Sequence, residues 1–209
     1  MAFRNRAEAA HKLAERLSAY KGKNPLVLAI PRGAVPMARI LADALGGELD
    51  VVLVRKLGAP MNPELAVGSV DESGWAYVAD FAASTGADAA YIEAEKQRQL
   101  EVMRQRRAQY TAARPSIDPA GRIVIVVDDG LATGSTMIAA LHSLRAKNPQ
   151  KLICAVPVAP PDTLEKVRPY ADETICLSAP ESFFAVGQFY QDFRQVSDDD
   201  VIRLLGAAA

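Results

Sequence analysis

The residues best suited to chemistry stand together in one run, Ile123-Val124-Ile125-Val126-Val127-Asp128-Asp129-Gly130-Leu131-Ala132-Thr133-Gly134-Ser135-Thr136. Its β-branched start reads as a strand buried on both faces. At the carboxyl end of such a strand an open α/β sheet has its ligand crevice. Gly130 and Gly134 allow a tight turn and let backbone N–H groups approach an anion closely. Thr133, Ser135 and Thr136 add hydroxyl donors, and a helix after them would offer free N–H groups and its positive end to a phosphate. Asp128 and Asp129 repel phosphate. They suit sugar hydroxyls, or a divalent cation held through water. The run therefore offers an anion cradle beside a diol or metal anchor, the two features of a sugar phosphate.

Around this run, helices and strands alternate. Apolar residues at 3, 7, 10, 13 and 17 give an amphipathic helix over residues 3–17. Strands are expected at 26–30, 50–54, 122–127, 152–158 and 173–177, with helices at 35–45, 138–147 and 161–170. Residues 56–74 carry Gly, Pro, Asn and Asp and read as a long mobile excursion, which a hairpin completed by residues 75–78 could close. Residues 87–113 form a long polar helix with Glu93 and Glu95 early and Arg104, Arg106 and Arg107 late, as the helix dipole favours. The alternation implies one α/β domain over residues 1–209, three-layer α/β/α with a mostly parallel sheet.

Composition narrows the class. Lys and Arg number 24 against 25 Asp and Glu, so the basic excess of a nucleic-acid-binding protein is missing. No run is long enough to cross a membrane and the N-terminal residues lack a signal-peptide core, so a cytoplasmic protein is expected. Cys154 and Cys176 sit in apolar runs without metal-ligand spacing and read as reduced, buried thiols. GxxxxGK[ST] and GxGxxG are both absent, which leaves P-loop ATPase and dinucleotide readings unsupported.

The pattern of apolar residues, Asp128-Asp129 and a short loop ending in Thr133-Gly134-Ser135 resembles the signature of the type I phosphoribosyltransferases. The wider chain is similar to a bacterial group of such proteins through FRNR, AIPRGAVPMA, VRKLGAPMNPELAVGSV and AVGQFYQDFRQVSDDDV. The resemblance implies a fold with a C-terminal hood, here residues 178–206. It implies transfer of ribose 5-phosphate from phosphoribosyl pyrophosphate to a nitrogen acceptor, with Mg2+, and a homodimer is one use for the Arg-bearing face of the long helix. Asp128 and Asp129 would bind the ribose hydroxyls and, through water, the metal. Gly130, Leu131, Ala132, Thr133, Gly134, Ser135 and Thr136 would form the phosphate-binding loop, with 132–136 around the 5-phosphate.

The family binds pyrophosphate on the turn after the first strand, here Ile30-Pro31-Arg32-Gly33-Ala34, and holds a non-proline cis peptide there. Arg32 would donate its planar fork and Gly33 would let the backbone approach. A plain strand-to-helix turn with an exposed arginine is the structural alternative. Arg55 and Lys56 would start a catalytic loop that closes over the substrates and would stabilise charge on the departing pyrophosphate; as ordinary surface cations they would do neither. Family members acting on 6-oxopurines place an acid in the phosphate loop at the position of Ala132, and the Leu131-Ala132-Thr133-Gly134 wording resembles the adenine and uracil branches instead.

Phe183, Phe184, Phe189, Tyr190 and Phe193 cluster late, either as a hood that stacks on a flat base or as packing for a C-terminal segment. Ser197 with Asp198, Asp199 and Asp200 reads as a helix cap and an acidic first turn. His11 and His142 are expected on surface or packing positions. Two other functions share the same ligand site: a sensor that binds phosphoribosyl pyrophosphate or a nucleotide without turnover, and a hydrolase with water as acceptor.

Overall fold

The structure, a computed structural model, describes residues 3–206. In chain order the elements are α1 (Arg6–Arg16), β1 (Leu26–Ala29), α2 (Val35–Leu45), β2 (Glu48–Val51), β3 (Val54–Ala59), β4 (Asn62–Asp71), β5 (Ala76–Val78), α3 (Ala89–Ala113), β6 (Ile123–Val127), α4 (Ser135–Arg145), β7 (Lys151–Val158), α5 (Pro161–Val167), β8 (Glu173–Ser178) and α6 (Asp198–Gly206). Five strands form a wholly parallel sheet in the order β2-β1-β6-β7-β8. Pleating divides their apolar residues between two cores. Val27, Ala29, Ile125 and Val127 face α1 and α2, while Leu28, Val124, Val126 and Cys154 face α4 and α5. The three-layer α/β/α expectation holds.

This topology decides where the site lies. The chain passes from β1 to β2 on one side and reaches β6 on the other, so β1 and β6 flank the switch point of the sheet. Ala29 pairs with Val127, and Ile30 N donates to Val127 O at 3.0 Å. The turn 30–34 and the run that starts at Asp128 therefore leave the sheet side by side.

Two expectations need correction, and one open alternative is decided. The strand expected over 50–54 is two strands: β2 ends at Val51 and β3 begins at Val54. Burial continues from Val51 through Val54 across the break, so hydrophobicity alone hides it. The excursion 56–74 takes the expected hairpin alternative: β3 pairs antiparallel with β4, and β5 completes it as a second sheet. Leu57, Val67 and Val70 at its base are fully buried, and only its tip, residues 61–65, is exposed throughout. Finally, α4 starts at Ser135, three residues before the expected position, so the loop runs straight into the helix.

The long helix α3 is capped by Asp88, whose side chain accepts from Tyr91 N at 2.8 Å. Leu100, Met103 and Tyr110 form a buried stripe on an otherwise polar helix. The C-terminal segment returns to the start of the chain. Phe3 N donates to Phe189 O at 2.7 Å and Gln191 N to Phe3 O at 2.8 Å, while the Phe3 and Tyr190 rings lie 5.6 Å apart. Ser197 caps α6: its Oγ accepts from Asp200 N at 3.1 Å, and Asp200 Oδ2 accepts from Ser197 N at 3.0 Å. His142 stacks on Trp75 at 3.7 Å, a packing role. Cys154 is buried and Cys176 half-buried, both unpaired. Among the described residues no helix is long and apolar enough to cross a membrane.

Candidate active site

A cavity of about 870 Å³ opens at the carboxyl ends of β1 and β6. The loop residues Gly130, Leu131, Ala132, Thr133, Gly134 and Thr136 line it, together with both carboxylates, Arg55 and Lys56. Residues scattered over three expected segments thus meet in one crevice. The pyrophosphate turn enters through Pro31 and Gly33, and the Pro31–Arg32 peptide is cis, as the resemblance implied.

The two carboxylates are not equivalent. Asp129 Oδ2 accepts from Arg6 Nε at 2.9 Å and from Arg6 Nη2 at 2.8 Å. The same guanidinium donates through Nη1 to Arg194 O at 2.6 Å and lies 3.9 Å from the centre of the Phe193 ring. Tyr190 Oη donates to Asp129 O at 2.6 Å. α1 and the C-terminal segment therefore clamp Asp129 from both sides. Gly33 completes the fit, because a Cβ there would collide with Asp129 Oδ2. Asp128 has no such cation; its Oδ1 accepts from Asp129 N at 2.9 Å. Burial, with the neighbouring charge of Asp129, raises the Asp128 pKa well above the usual carboxylate range. Burial also raises Asp129, against the pull of Arg6.

The loop is fixed from outside the crevice. Gly134 has φ +79°, and a Cβ there would lie 2.9 Å from Thr163 Cγ2. Thr163 Oγ1 donates to Ala132 O at 2.7 Å, and Ser69 Oγ, on β4, donates to Ser135 O at 2.6 Å. Thr133 is exposed toward the cavity and Thr136 half-buried on its wall. Ser135 departs from expectation. It is only 4% exposed and its hydroxyl pairs with Thr133 Oγ1 at 3.2 Å, so its side chain turns inward as the helix begins.

The cations divide between two spaces. Arg55 and Lys56 lie within β3 and not on a loop after a strand, yet both line the main cavity. Burial, then the like charges of Arg106 and Arg32, lower the Arg55 pKa from its ordinary value. The Arg32 side chain instead lines an adjoining cleft of about 440 Å³ that shares Pro31, Gly33, Arg55 and Asp129 with the main cavity. There Arg32 Nη1 and Arg106 Nε approach Asp198 at 3.4 and 3.5 Å, and Tyr110 Oη donates to Asp198 Oδ1 at 2.6 Å. Phe193 and Val186 are the hood residues that reach the cavity, while Phe189 and Tyr190 are packing.

Arg6, Gln99 and Thr163 were absent from the expected site, and Tyr190 was expected only as a hood or packing ring, not as the partner of the Asp129 backbone. Arg6 carried a usable signal: it lies on the helical stripe of Ala10, Leu13 and Leu17, and a charge on a buried stripe demands a partner. The donor set also fits a magnesium ion. With Asp128 Oδ1 and Asp129 Oδ2 engaged, one oxygen of each acid faces the crevice, and magnesium is commonly bound by one or two carboxylates with the remaining positions filled by water and phosphate oxygens.

The phosphoribosyl transferase domain matches residues 3–194. A Mycobacterium tuberculosis protein named as a phosphoribosyl transferase is 43% identical over 207 residues, covering 99% of this chain and 47% of its own length; its counterpart in a second strain gives the same figures. The chain thus spans about half the length of the curated relatives it matches. The crystal structure of TT1426 from Thermus thermophilus is 46% identical with a TM-score of 0.82, covering 99% of this chain and 98% of that one. Sequence, fold and matched relatives agree that the chain belongs to the phosphoribosyl transferase domain family.

Proposed function

We propose that this chain is a magnesium-dependent phosphoribosyltransferase that moves ribose 5-phosphate from phosphoribosyl pyrophosphate to a nitrogen acceptor, a nucleobase, and releases pyrophosphate. One observation carries the reading. The Ala29–Val127 register brings the 30–34 turn, the carboxylate pair and the 130–136 loop to a single cavity, which Arg55 and Lys56 also line. A sugar bearing phosphate groups at both ends matches that order of charges.

In this reading the 5-phosphate sits on the loop, where the free N–H groups of α4 and the Thr133 and Thr136 hydroxyls meet it. The crevice-facing oxygens of Asp128 and Asp129 accept hydrogen bonds from the two ribose hydroxyls and hold C1 in place. Asp128 and Asp129 would hold a magnesium ion, whose positive charge would help neutralise the departing pyrophosphate. The bond from C1 to the pyrophosphate oxygen breaks, and its electron pair leaves on pyrophosphate. Arg55 and Lys56 offset the charge that collects there. The acceptor nitrogen gives its lone pair to C1 from the opposite face, and its proton passes to water or to the pyrophosphate. Phe193 and Val186 add apolar surface to the cavity wall.

The test is pyrophosphate release from phosphoribosyl pyrophosphate with magnesium, across a panel of bases and amines. Release that requires one acceptor is the expected result. Release without any acceptor identifies a hydrolase, and tight binding with no release identifies a sensor; either would displace the proposal.

A further inference from the structure

Arg55 is held by a chain of polar side chains along one face of α3. Its Nε donates to Gln99 Oε1 at 2.9 Å. Gln99 Nε2 donates to Glu95 Oε1 at 2.7 Å. The other Glu95 oxygen accepts from Arg98 Nε at 2.9 Å. Residues 95 and 99 stand one helical turn apart and so share a face. Glu95 is 8% exposed, a degree of burial unusual for an acid.

Each link has a directional purpose. A guanidinium gripped through Nε keeps both Nη groups free, and those two groups make the fork that fits phosphate oxygens. A neutral amide acceptor fixes the guanidinium plane without cancelling its charge, whereas a carboxylate at position 99 would cancel it. The amide of Gln99 has two possible orientations, and Glu95 selects one. A carboxylate can only accept, so it takes the NH2 group and turns the carbonyl oxygen toward Arg55. The tether also has something to resist. Arg55 shares its cleft with Arg32, Arg106, Arg6 and Arg194, and like charges would drive an unheld guanidinium out to solvent.

We infer that Gln99 and Glu95 are positioning residues that aim Arg55 at the diphosphate end of the ligand, which gives α3 a part in the active site. This deepens the proposed function and rests on it. The ligand class is a magnesium-bound diphosphate, not the ribose 5-phosphate end, which the Asp128–Thr136 side of the cavity serves.

The test is a double-mutant cycle read by calorimetry, with magnesium pyrophosphate and ribose 5-phosphate as separate probes. Gln99→Leu should weaken pyrophosphate binding about tenfold, the scale of a hydrogen bond to a charged group, and leave ribose 5-phosphate within twofold. In an Arg55→Ala background the same substitution should change pyrophosphate affinity less than twofold, because its target is gone. An equal loss in both backgrounds, or a loss shared by ribose 5-phosphate, would show a structural role and overturn the inference. Wild-type affinity in Gln99→Leu would also overturn it while leaving the proposed function standing. A wild-type protein that binds neither probe would remove the proposed function and this inference together.

Discussion

Arg6 and Asp129, 123 residues apart in the chain, meet at the floor of the crevice, where two guanidinium nitrogens donate to one carboxylate oxygen. Because Oδ2 takes both bonds, Oδ1 of the Asp129 carboxylate is left without a side-chain partner. The pair is nearly shielded from water, with side-chain exposures of 13% and 15%. It ties α1 to the chemistry at β6, and Phe193 on the guanidinium extends the tie to the C-terminal segment.

Arg6→Gln should therefore harm both stability and binding. Removing one partner of a shielded pair strands the other and costs on the order of 3 kcal/mol, measurable by denaturant unfolding. The Asp129 carboxyl should titrate at still higher pH, since burial raises it and Arg6 opposes that rise. Carbon-13 NMR of the carboxyl would report the shift. An unchanged titration would show that Arg6 does not govern the charge of Asp129.

Asp128→Asn should separate stability from function. Asp128 has no cation partner like Arg6, and burial beside Asp129 raises its pKa. Its charged form therefore weighs against the folded state above the ordinary aspartate pKa of about 3.9. The asparagine variant should melt higher at neutral pH, by roughly 3 °C per kcal/mol relieved. Its advantage should shrink as pH falls and vanish where both states are protonated. Binding of phosphoribosyl pyrophosphate should be lost in the same variant. Asp129→Asn should gain less, because Arg6 offsets part of the burial cost of the Asp129 charge.

Much of this site was legible from local pattern, and the failures have physical causes. Residues 123–127 hold no polar group, so a doubly covered strand was the only economical reading, and the acids and glycines after it marked its open end. The hairpin was legible as an alternative, but the burial of its base was not. Leu57, Val67 and Val70 are core residues embedded among Gly, Pro and Asn, and turn-forming composition masked their burial. Ser135 looked like a ligand donor because its type fits, but whether a hydroxyl faces in or out depends on where α4 begins. The partners of Asp129 and Arg55 lie far off in the chain, on α1 and α3, and only tertiary packing brings them near. Even so, Glu95, Gln99, Met103, Arg106 and Tyr110 follow one helical stripe, whose Gln99 bonds Arg55 and whose Arg106 and Tyr110 meet Asp198.

Arg55→Ala and Lys56→Ala should lower turnover more than they lower ground-state affinity for phosphoribosyl pyrophosphate. Both groups line the cavity, and in the proposed reaction charge grows there as pyrophosphate departs, so their contribution should increase toward the transition state. A loss of about a hundredfold in kcat with less than tenfold in KM is expected from removing one such donor. Equal losses in both constants would assign them to simple ligand binding.

Acceptor choice should follow Ala132. Its side chain has no polar atom, and its carbonyl oxygen accepts the Thr163 hydroxyl. The loop thus offers no side-chain carboxylate there to take a ring proton, a loss typically worth about a hundredfold or more in rate. Guanine and hypoxanthine should accordingly be poor substrates in competition kinetics against adenine and uracil. Efficient turnover of either 6-oxopurine would show that the proton is managed elsewhere.

The most direct test of the central claim is a crystal structure with magnesium and phosphoribosyl pyrophosphate bound. The 5-phosphate should lie on residues 132–136, the ribose hydroxyls on Asp128 and Asp129, and the pyrophosphate between the 30–34 turn and Arg55. A ligand seated with its 5-phosphate in the Arg32–Arg106 cleft, and nothing on the loop, would contradict the account.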